Sequence, residues 1–459
     1  SQRDIVRQRT NFKQDIEKIT GNKELKYKGM PANLGIFWIP YHNAKDDKEL
    51  LSFISSRISN CPSLQNIINK SPLSRNRNAS KVSKNKVGFY FENPQSTHSA
   101  FKLFAQLVQV SASNPDQETW VLVAASSSNS HCTDICALAN KTLRISSNVE
   151  SAIKQIRELS LDALIFTETA SSWYSFILSM SRLARVQIAS WGNPVTTGSS
   201  TIDYFLSSTL IEPTNAQNYY SERLIQISKL PSKYPKPHIA IVDRKKRSAK
   251  FKLPNSECLI GIPQSLFKLH PDFDFVLEKI IIQVPNSKFI LIEGENELQT
   301  NRLKKRWELN ASITLKKSIF LKRMSMNDFI ALLGELDLLL DPIYFGSGNT
   351  FYETMAIGTP IVTMKGDYMR GRIVAAGYKQ MKIADPPVAN NIDEYVKLAV
   401  KLVQEPRLRK QMKREFRLAA QRYLYDDQEA ADEIIEFLSA AIEECNQTNG
   451  LLPIGWKRT

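Results

Sequence analysis

The stretch LDPIYFGSGNTFYETMAIGTPIVT, residues 340–363, decides how this chain is built. The apolar run Leu336–Leu340 reads as a strand that ends in the loop Gly346–Thr350. The chain then enters a helix over Phe351–Ala356 and a second strand over Pro360–Thr363. Glycine lets a backbone pass close to a ligand, and Asn349 or Thr350 is suited to cap the helix that follows. Free amides at a helix N-terminus attract anions, a pyrophosphate among them. Glu353, one turn into the helix, is placed to accept hydrogen bonds from a ribose diol. Taken alone, Gly346, Ser347, Gly348, Asn349 and Thr350 form a turn that in many chains only packs, so this loop by itself names no ligand.

The same strand–helix alternation extends to both sides. Downstream of Cys258 the pattern predicts a strand over Leu259–Ile262, a helix over Phe273–Val284 and a strand over Lys288–Ile292. Thr314–Phe320, Asn327–Gly334 and Leu336–Leu340 follow as strand, helix and strand. An earlier run begins with a strand at Val87–Phe91 and a helix at Ala100–Ala112. A strand at Thr119–Ala124, a helix at Val149–Leu159 and a strand at Ala163–Thr167 come next, then a helix at Trp173–Leu183 and a strand at Val186–Ser190. Alternation of this kind means a parallel sheet covered by helices on both faces. The fold class is therefore α/β: two Rossmann-like doubly wound lobes facing a central cleft, with an N-terminal helical extension and a C-terminal helix. Ligands of such sheets bind at the carboxyl ends of the strands.

The expected organisation is a mainly helical extension and linker over 1–85, an N-terminal lobe on the acceptor side over 86–235, a basic connector over 236–255, a C-terminal nucleotide-sugar lobe over 256–390 and terminal helices over 391–459. At 459 residues the chain exceeds what one core usually serves, and two domains of about 150–200 residues are natural. With 42% hydrophobic and 23% charged residues it reads as an ordinary globular protein. No stretch approaches the roughly 20 apolar residues of a membrane span. Ser1–Lys23 carries no apolar segment of signal-peptide type, so a cytoplasmic protein is the default expectation. Five scattered cysteines argue against a disulfide framework. His131, Cys132 and Cys136 form at most half of a structural metal site, which needs four ligands. The net charge of +15 implies attraction to an anion. Its densest run, Arg244–Arg247, reads as a solvated connector, and no nucleic-acid reading motif accompanies it.

The 340–363 segment, with GTPIVT at 358–363 and GDYMRGR at 366–372, resembles the nucleotide-sugar motif of the O-GlcNAc transferase/SPINDLY glycosyltransferase family, bacterial-type members in particular. Three further stretches match in order. QIASWGNPVTTGSSTIDY at 187–204 resembles the loop that closes the first lobe over the cleft. Glu212-Pro213 and YSERL at 220–224 follow it, and PQSLFKLHP at 263–271 resembles the start of the second lobe. The similarity covers about Val87 to Ala384 and implies a GT-B fold. It also implies that Lys268 contacts the donor diphosphate with Gln264 beside it, and that Gly346–Thr350 and Glu353 complete the donor site. It places His98, after the first strand, on the cleft side as the candidate for acid–base or acceptor-side work, with Asn193, Thr196 and Thr197 in the acceptor-side loop. Histidine suits proton transfer near neutral pH; the residue-level alternative is that His98 caps or packs the helix over Ala100–Ala112.

The resemblance implies an inverting, metal-independent transferase that moves GlcNAc or a hexose from a UDP-sugar to a Ser/Thr hydroxyl or Asn amide of a protein. No cofactor or metal is expected beyond UDP or the UDP-sugar, and no Asp-X-Asp pair stands at a strand end. Some positions depart from the family: bacterial relatives often carry histidine at the place of Asn193, and human-type members have a His-Thr-Thr run at 348–350 and aspartate at Glu353. No 34-residue helical repeat is visible in residues 1–85, which leaves room for a partner subunit that supplies acceptor recognition. The alternative is a non-catalytic GT-B scaffold or partner subunit of a glycosyltransferase complex.

Overall fold

Strands whose every side chain is buried, such as Ala163–Phe166 and Leu338–Leu340, require cover on both faces of a sheet. A computed structural model of the chain shows how that cover is supplied. It describes residues 2–21, 35–42, 47–68, 84–124, 127, 129–239, 251–254 and 257–458. The polar stretch 71–86 falls largely outside these, and so do the basic run Arg244–Arg247 and the side chain of His131. The chain forms two compact units, Ser1–Tyr234 with Asp427–Thr459, and Pro235–Asp426.

The first unit opens with α1 (Gln2–Gly21), a 3-10 turn at Ile36–His42, α2 (Asp47–Ser59) and α3 (Pro62–Ile68). The α/β part follows: β1 (Asn85–Phe91), α4 (Ser99–Ser113), β2 (Gln117–Ala124), α5 (Asn129–Cys136), β3 (Lys141–Ile145), α6 (Val149–Glu158) and β4 (Ala163–Phe166). It continues with α7 (Trp173–Ser179), β5 (Val186–Ser190), β6 (Tyr204–Ser208) and β7 (Arg223–Ile227). These strands make one parallel sheet in the order β3-β2-β1-β4-β5-β6-β7. Strand order reverses at β1 and β4, which pair from Val87–Ala163 to Tyr90–Phe166. Loops leaving the two strands therefore diverge and open a crevice at their carboxyl ends.

The second unit repeats the plan. It holds β8 (Cys258–Ile262), a 3-10 turn at Leu266–Lys268, α8 (Pro271–Gln283), β9 (Ser287–Ile292), α9 (Glu297–Asn310), α10 (Ser312–Lys316) and β10 (Ser318–Leu321). Then come α11 (Met326–Glu335), β11 (Leu338–Leu340), α12 (Asn349–Met355), β12 (Ile361–Met364), α13 (Ile373–Gln380), β13 (Val388–Ala389), α14 (Ile392–Gln404) and α15 (Pro406–Tyr423). Its sheet order is β10-β9-β8-β11-β12-β13, also parallel. The reversal lies between β8 and β11. A core of Phe273, Leu277, Ile280, Phe289, Leu291, Leu338, Val362 and Tyr395 joins its strands to α8 and α14. Trp307 is fully buried and donates its indole N–H to Asp274 Oδ1 at 2.7 Å. Arg306 grips the same carboxylate with two nitrogens. The last helix, α16 (Gln428–Thr448), returns to the first unit, where the Glu433 carboxylate accepts the amide and hydroxyl of Ser228.

The strand expected at Thr314–Phe320 is corrected. Residues 312–316 form the short helix α10, and only Ser318–Leu321 is extended. Glu278 explains this: its carboxylate accepts the amides of Ile313 and Thr314 and the Thr314 hydroxyl, which caps a helical turn made of β-branched residues. Trp173–Leu183 is also shorter than its pattern, with α7 ending at Ser179.

Candidate active site

In the second unit the loops leaving β8 and β11 meet at the strand-order reversal. Asp341 ends the apolar strand β11 and is almost wholly buried. Its Oδ1 accepts the Ser347 amide and hydroxyl, both at 2.7 Å, and its Oδ2 accepts the Thr363 hydroxyl at 2.8 Å. These bonds fold the loop back over the strand end. Gly346 must be glycine here, because a Cβ would lie 2.4 Å from Asp341 Oδ2. Burial nevertheless pushes the Asp341 carboxyl above its usual range, against the pull of Ser347, Thr363 and the Lys268 charge.

From the other loop, Gln264 Nε2 donates to Ser347 Oγ at 2.9 Å, and its Oε1 accepts from Lys268 Nζ at 3.0 Å. Lys268 Nζ also donates to the Gly346 carbonyl at 2.9 Å and stands 4.9 Å from the centre of the Phe345 ring. An ammonium has three hydrogens, and two are taken by these bonds. Burial pushes its pKa down to about 8, partly opposed by Asp341. Lys268, Gln264, Ser347 and Asp341 thus form one connected chain around the loop.

The expected cap of α12 by Asn349 or Thr350 is not what forms. Gly348 occupies the cap position and no side chain caps the helix, because Asn349 is already inside the first turn. The leading amides of α12 lack intrahelical acceptors. Asn349 Oδ1 is buried with no hydrogen-bond partner among the described residues. Thr350 gives its carbonyl to the Thr354 hydroxyl. Glu353 is buried in α12. An ammonium hydrogen and uncapped amides on one loop pair are donors that a phosphate can satisfy, whereas the Asn349 oxygen is an acceptor that calls for a hydroxyl or N–H donor. Among the described residues, no three His, Cys, Asp or Glu side chains cluster as a metal site would need.

In the first unit the corresponding reversal carries His98 after β1 and Glu168 after β4. His98 caps α4, its Nδ1 accepting the Ala100 amide at 3.4 Å. This is the capping role that the sequence held open as the alternative to proton transfer. Its Nε2 lies 3.7 Å from Glu168 Oε1, and burial with the nearby Lys102 charge lowers the imidazole pKa. Glu168 is buried. Desolvation, reinforced by Glu92, pushes its pKa up to about 8 against the Asn93 amide.

Asn193 is engaged with the backbone, its Oδ1 accepting the amides of Thr169 at 2.7 Å and Ala170 at 3.3 Å. It pins the turn that carries Glu168. Thr196 and Thr197, expected in the acceptor-side loop, are buried and turned to Glu222. Thr196 Oγ1 lies 2.6 Å from its Oε2, and the Thr197 amide and hydroxyl donate to its Oε1. α2 covers this loop: Ser55 donates to the Thr197 carbonyl at 3.2 Å. A cavity of about 20 Å³ remains among Phe37, Leu51, Ala170, Asn193 and Val195. Asp341, Glu168 and Glu222 were not among the residues expected from the sequence. Asp341 and Glu168 share a legible signal, an acidic residue at the carboxyl end of an apolar strand; Glu222 lies in YSERL at 220–224, a stretch quoted for the resemblance without a role for this carboxylate.

Comparison with known proteins fits this geometry. The sequence model of glycosyl transferase family 41 matches residues 233–433. A probable UDP-N-acetylglucosamine–peptide N-acetylglucosaminyltransferase SPINDLY of Eustoma exaltatum subsp. russellianum is 26% identical over 54% of this chain and 27% of its own length. A UDP-glucose:protein N-beta-glucosyltransferase of Actinobacillus pleuropneumoniae is 25% identical over 51% of the chain and 37% of its own length. The chain thus spans well under half the length of these curated relatives. Among solved structures, an O-GlcNAc transferase mutant of Thermobaculum terrenum superposes with a TM-score of 0.70 at 16% identity, over 91% of this chain and 84% of that one. Anabaena HepE, solved with UDP and glucose, gives a TM-score of 0.53 at 13% identity, over 77% and 99%. Doubly wound sheets and these likenesses converge on a GT-B fold, and the chain is similar to the O-GlcNAc transferase-like glycosyltransferases.

Proposed function

We propose that this chain carries the catalytic units of an inverting, UDP-sugar-dependent protein glycosyltransferase that moves GlcNAc or a hexose to a Ser/Thr hydroxyl or Asn amide. The observation that carries this reading is the convergence of Lys268, Gln264 and the Gly346–Thr350 loop on one point at the β8/β11 reversal. Lys268 and the leading amides of α12 would hold the diphosphate, and Glu353 the ribose. As the acceptor oxygen or nitrogen bonds to the anomeric carbon, the carbon–oxygen bond to UDP breaks and its electron pair leaves on the diphosphate. A fixed ammonium and preorganised amides stabilise that charge, so the step is proposed to run without a metal. The acceptor loses one proton to the acceptor side.

The relatives named above support the donor and acceptor classes, and residues outside this sequence or a partner subunit are proposed to select the acceptor. Calorimetry with UDP tests the donor half: saturable binding that Lys268→Ala weakens about tenfold to a hundredfold supports it, and absence of binding refutes it. Incubation with a panel of nucleotide sugars and peptides, read by mass spectrometry, tests transfer.

A second reading, a non-catalytic scaffold, is favoured by one observation: the His98 lone pair at Nδ1 is engaged in capping α4. UDP binding without any UDP release from UDP-GlcNAc or UDP-glucose would select it.

A further inference from the structure

The loop after β11 is held from behind by polar groups that have little surface of their own. Asp341, Ser347 and Gln264 are 3%, 2% and 4% exposed, whereas Lys268 keeps part of its surface open, as do Gly348, Asn349 and Thr350. One donor in this set cannot reverse. The Ser347 amide only donates, so Asp341 Oδ1, which receives it at 2.7 Å, is an acceptor in either protonation state of the carboxyl. The Ser347 hydroxyl meets the same oxygen at 2.7 Å, and its single hydrogen is spent there. Towards Gln264, at 2.9 Å, Ser347 Oγ is then only an acceptor. Gln264 must turn its NH2 group to Ser347, which leaves its oxygen for Lys268 Nζ at 3.0 Å. Lys268 gives a second hydrogen to the Gly346 carbonyl at 2.9 Å. In the reverse order the Gln264 NH2 group would face the ammonium, donor against donor. The carboxyl that sets the order is clamped from two further elements: Thr363 of β12 donates to its Oδ2 at 2.8 Å, and Tyr395 of α14 to the Asp341 carbonyl at 2.9 Å.

We propose that Asp341, Ser347 and Gln264 are positioning residues of the donor site, a one-way hydrogen-bond chain that presents an acceptor to Lys268 and leaves the third ammonium hydrogen for an anionic ligand. Ser347 and Gln264, expected within the donor site, act on that ligand through Lys268. The inference rests on the transferase reading for the ligand, a diphosphate, and on the hydrogen bonds alone for the direction. Asp341 contributes twice: its oxygen sets the direction, and its negative charge favours the ammonium against burial. The titratable groups around this carboxyl are Lys268, Tyr378 and Tyr395, and burial keeps both phenols protonated.

Nuclear magnetic resonance of the full chain without nucleotide tests the direction. With nitrogen-15 in the glutamine and lysine side chains, Gln264→Met and Lys268→Met assign the two signals. The Gln264 NH2 protons should show stronger Overhauser contacts to the Ser347 β-hydrogens than to the Lys268 ε-hydrogens. Asp341→Asn retains the acceptor oxygen and should keep this order; the reverse order in the wild type overturns the assignment. Ser347→Ala removes a hydroxyl that is not bonded to Lys268 and frees Gln264 to turn. The Lys268 ammonium, with a pKa of about 8 in the wild type, should then lose its proton about one pH unit lower. A packing role alone leaves that midpoint in place, so an unmoved midpoint overturns the proposal. By calorimetry at about pH 8.5, UDP should bind Ser347→Ala about fivefold to tenfold more weakly than the wild type; equal affinity overturns the role in donor binding. Failure of the wild type to bind UDP overturns the transferase reading instead, because the spectra are read on the free protein.

Discussion

At the scale of single residues, burial displaces the Lys268 ammonium well below its ordinary value. Its pKa falls from 10.5 to about 8 on burial. In the unfolded chain the amine keeps its proton up to about 10.5, so between those limits the unfolded state binds more protons and folding stability rises with pH. A diphosphate beside the amine restores the charged form. UDP binding above pH 8 is therefore expected to take up one proton and to weaken about tenfold per pH unit. Calorimetry in buffers of different ionisation enthalpy checks this, and a flat affinity from pH 7.5 to 9.5 would contradict it. Lys268→Ala should lose the uptake and bind UDP about tenfold to a hundredfold more weakly. Asn193 makes a different prediction. Asn193→Ala leaves the Thr169 and Ala170 amides without their acceptor, and urea unfolding should show a loss of about 1–3 kcal/mol. Its engagement with the backbone gives this residue a structural role in holding the turn that carries Glu168.

Among the elements, α2 matters through one close approach. Gly198 has a φ of +68°, and a Cβ on it would lie 2.3 Å from the Leu51 carbonyl carbon and 2.5 Å from the Ser52 nitrogen. Those are backbone atoms that cannot rotate aside. Gly198→Ala is expected to lift α2 from the loop and to cost about 1–3 kcal/mol. Hydrogen exchange should quicken over Asp47–Ser59, while UDP affinity stays as in the wild type; unchanged protection of α2 would refute the account. That contact joins residues far apart in the chain, so no local pattern in the sequence announces it. The central strands are the opposite case. β1, β4 and β11 read plainly because parallel strands buried on both faces are continuously apolar. β3, with Lys141 and Arg144 exposed on the sheet edge, lacks that signature and has no counterpart among the expected strands. The run Thr314–Phe320 misleads because Thr314, Ile319 and Phe320 favour strands, whereas a carboxylate on α8 imposes a helical turn on its start.

Across the whole molecule, the sequence shows where lobes begin more clearly than where they end. The donor loop is legible because glycine, serine and asparagine follow an apolar strand, yet Lys268 becomes meaningful only beside Gln264 and Gly346, one of them 78 positions away. The tail reads as helical, but its charges do not say which sheet each helix serves. The structure divides it: α14 and α15 stay with the second unit, while Asp427–Thr459 returns to the first. That return is extensive. Phe437 packs edge-on to Tyr204 with ring centres 5.3 Å apart. The Arg223 guanidinium donates to the carbonyls of Leu451 and Leu452, and the Leu452 amide donates to the Tyr204 hydroxyl. Removing residues 427–459 would expose β6 and β7 and deprive the Ser228 and Arg223 donors of these acceptors. The truncated chain is therefore expected to lose cooperative unfolding of the first unit, seen as exchange of β6 and β7 amides at unprotected rates. The second unit, a compact body over Pro235–Asp426, should keep its fold and bind UDP as the intact chain does. Equal protection of β6 and β7 in both chains would show instead that α16 is an appendage, and that the first sheet closes without it.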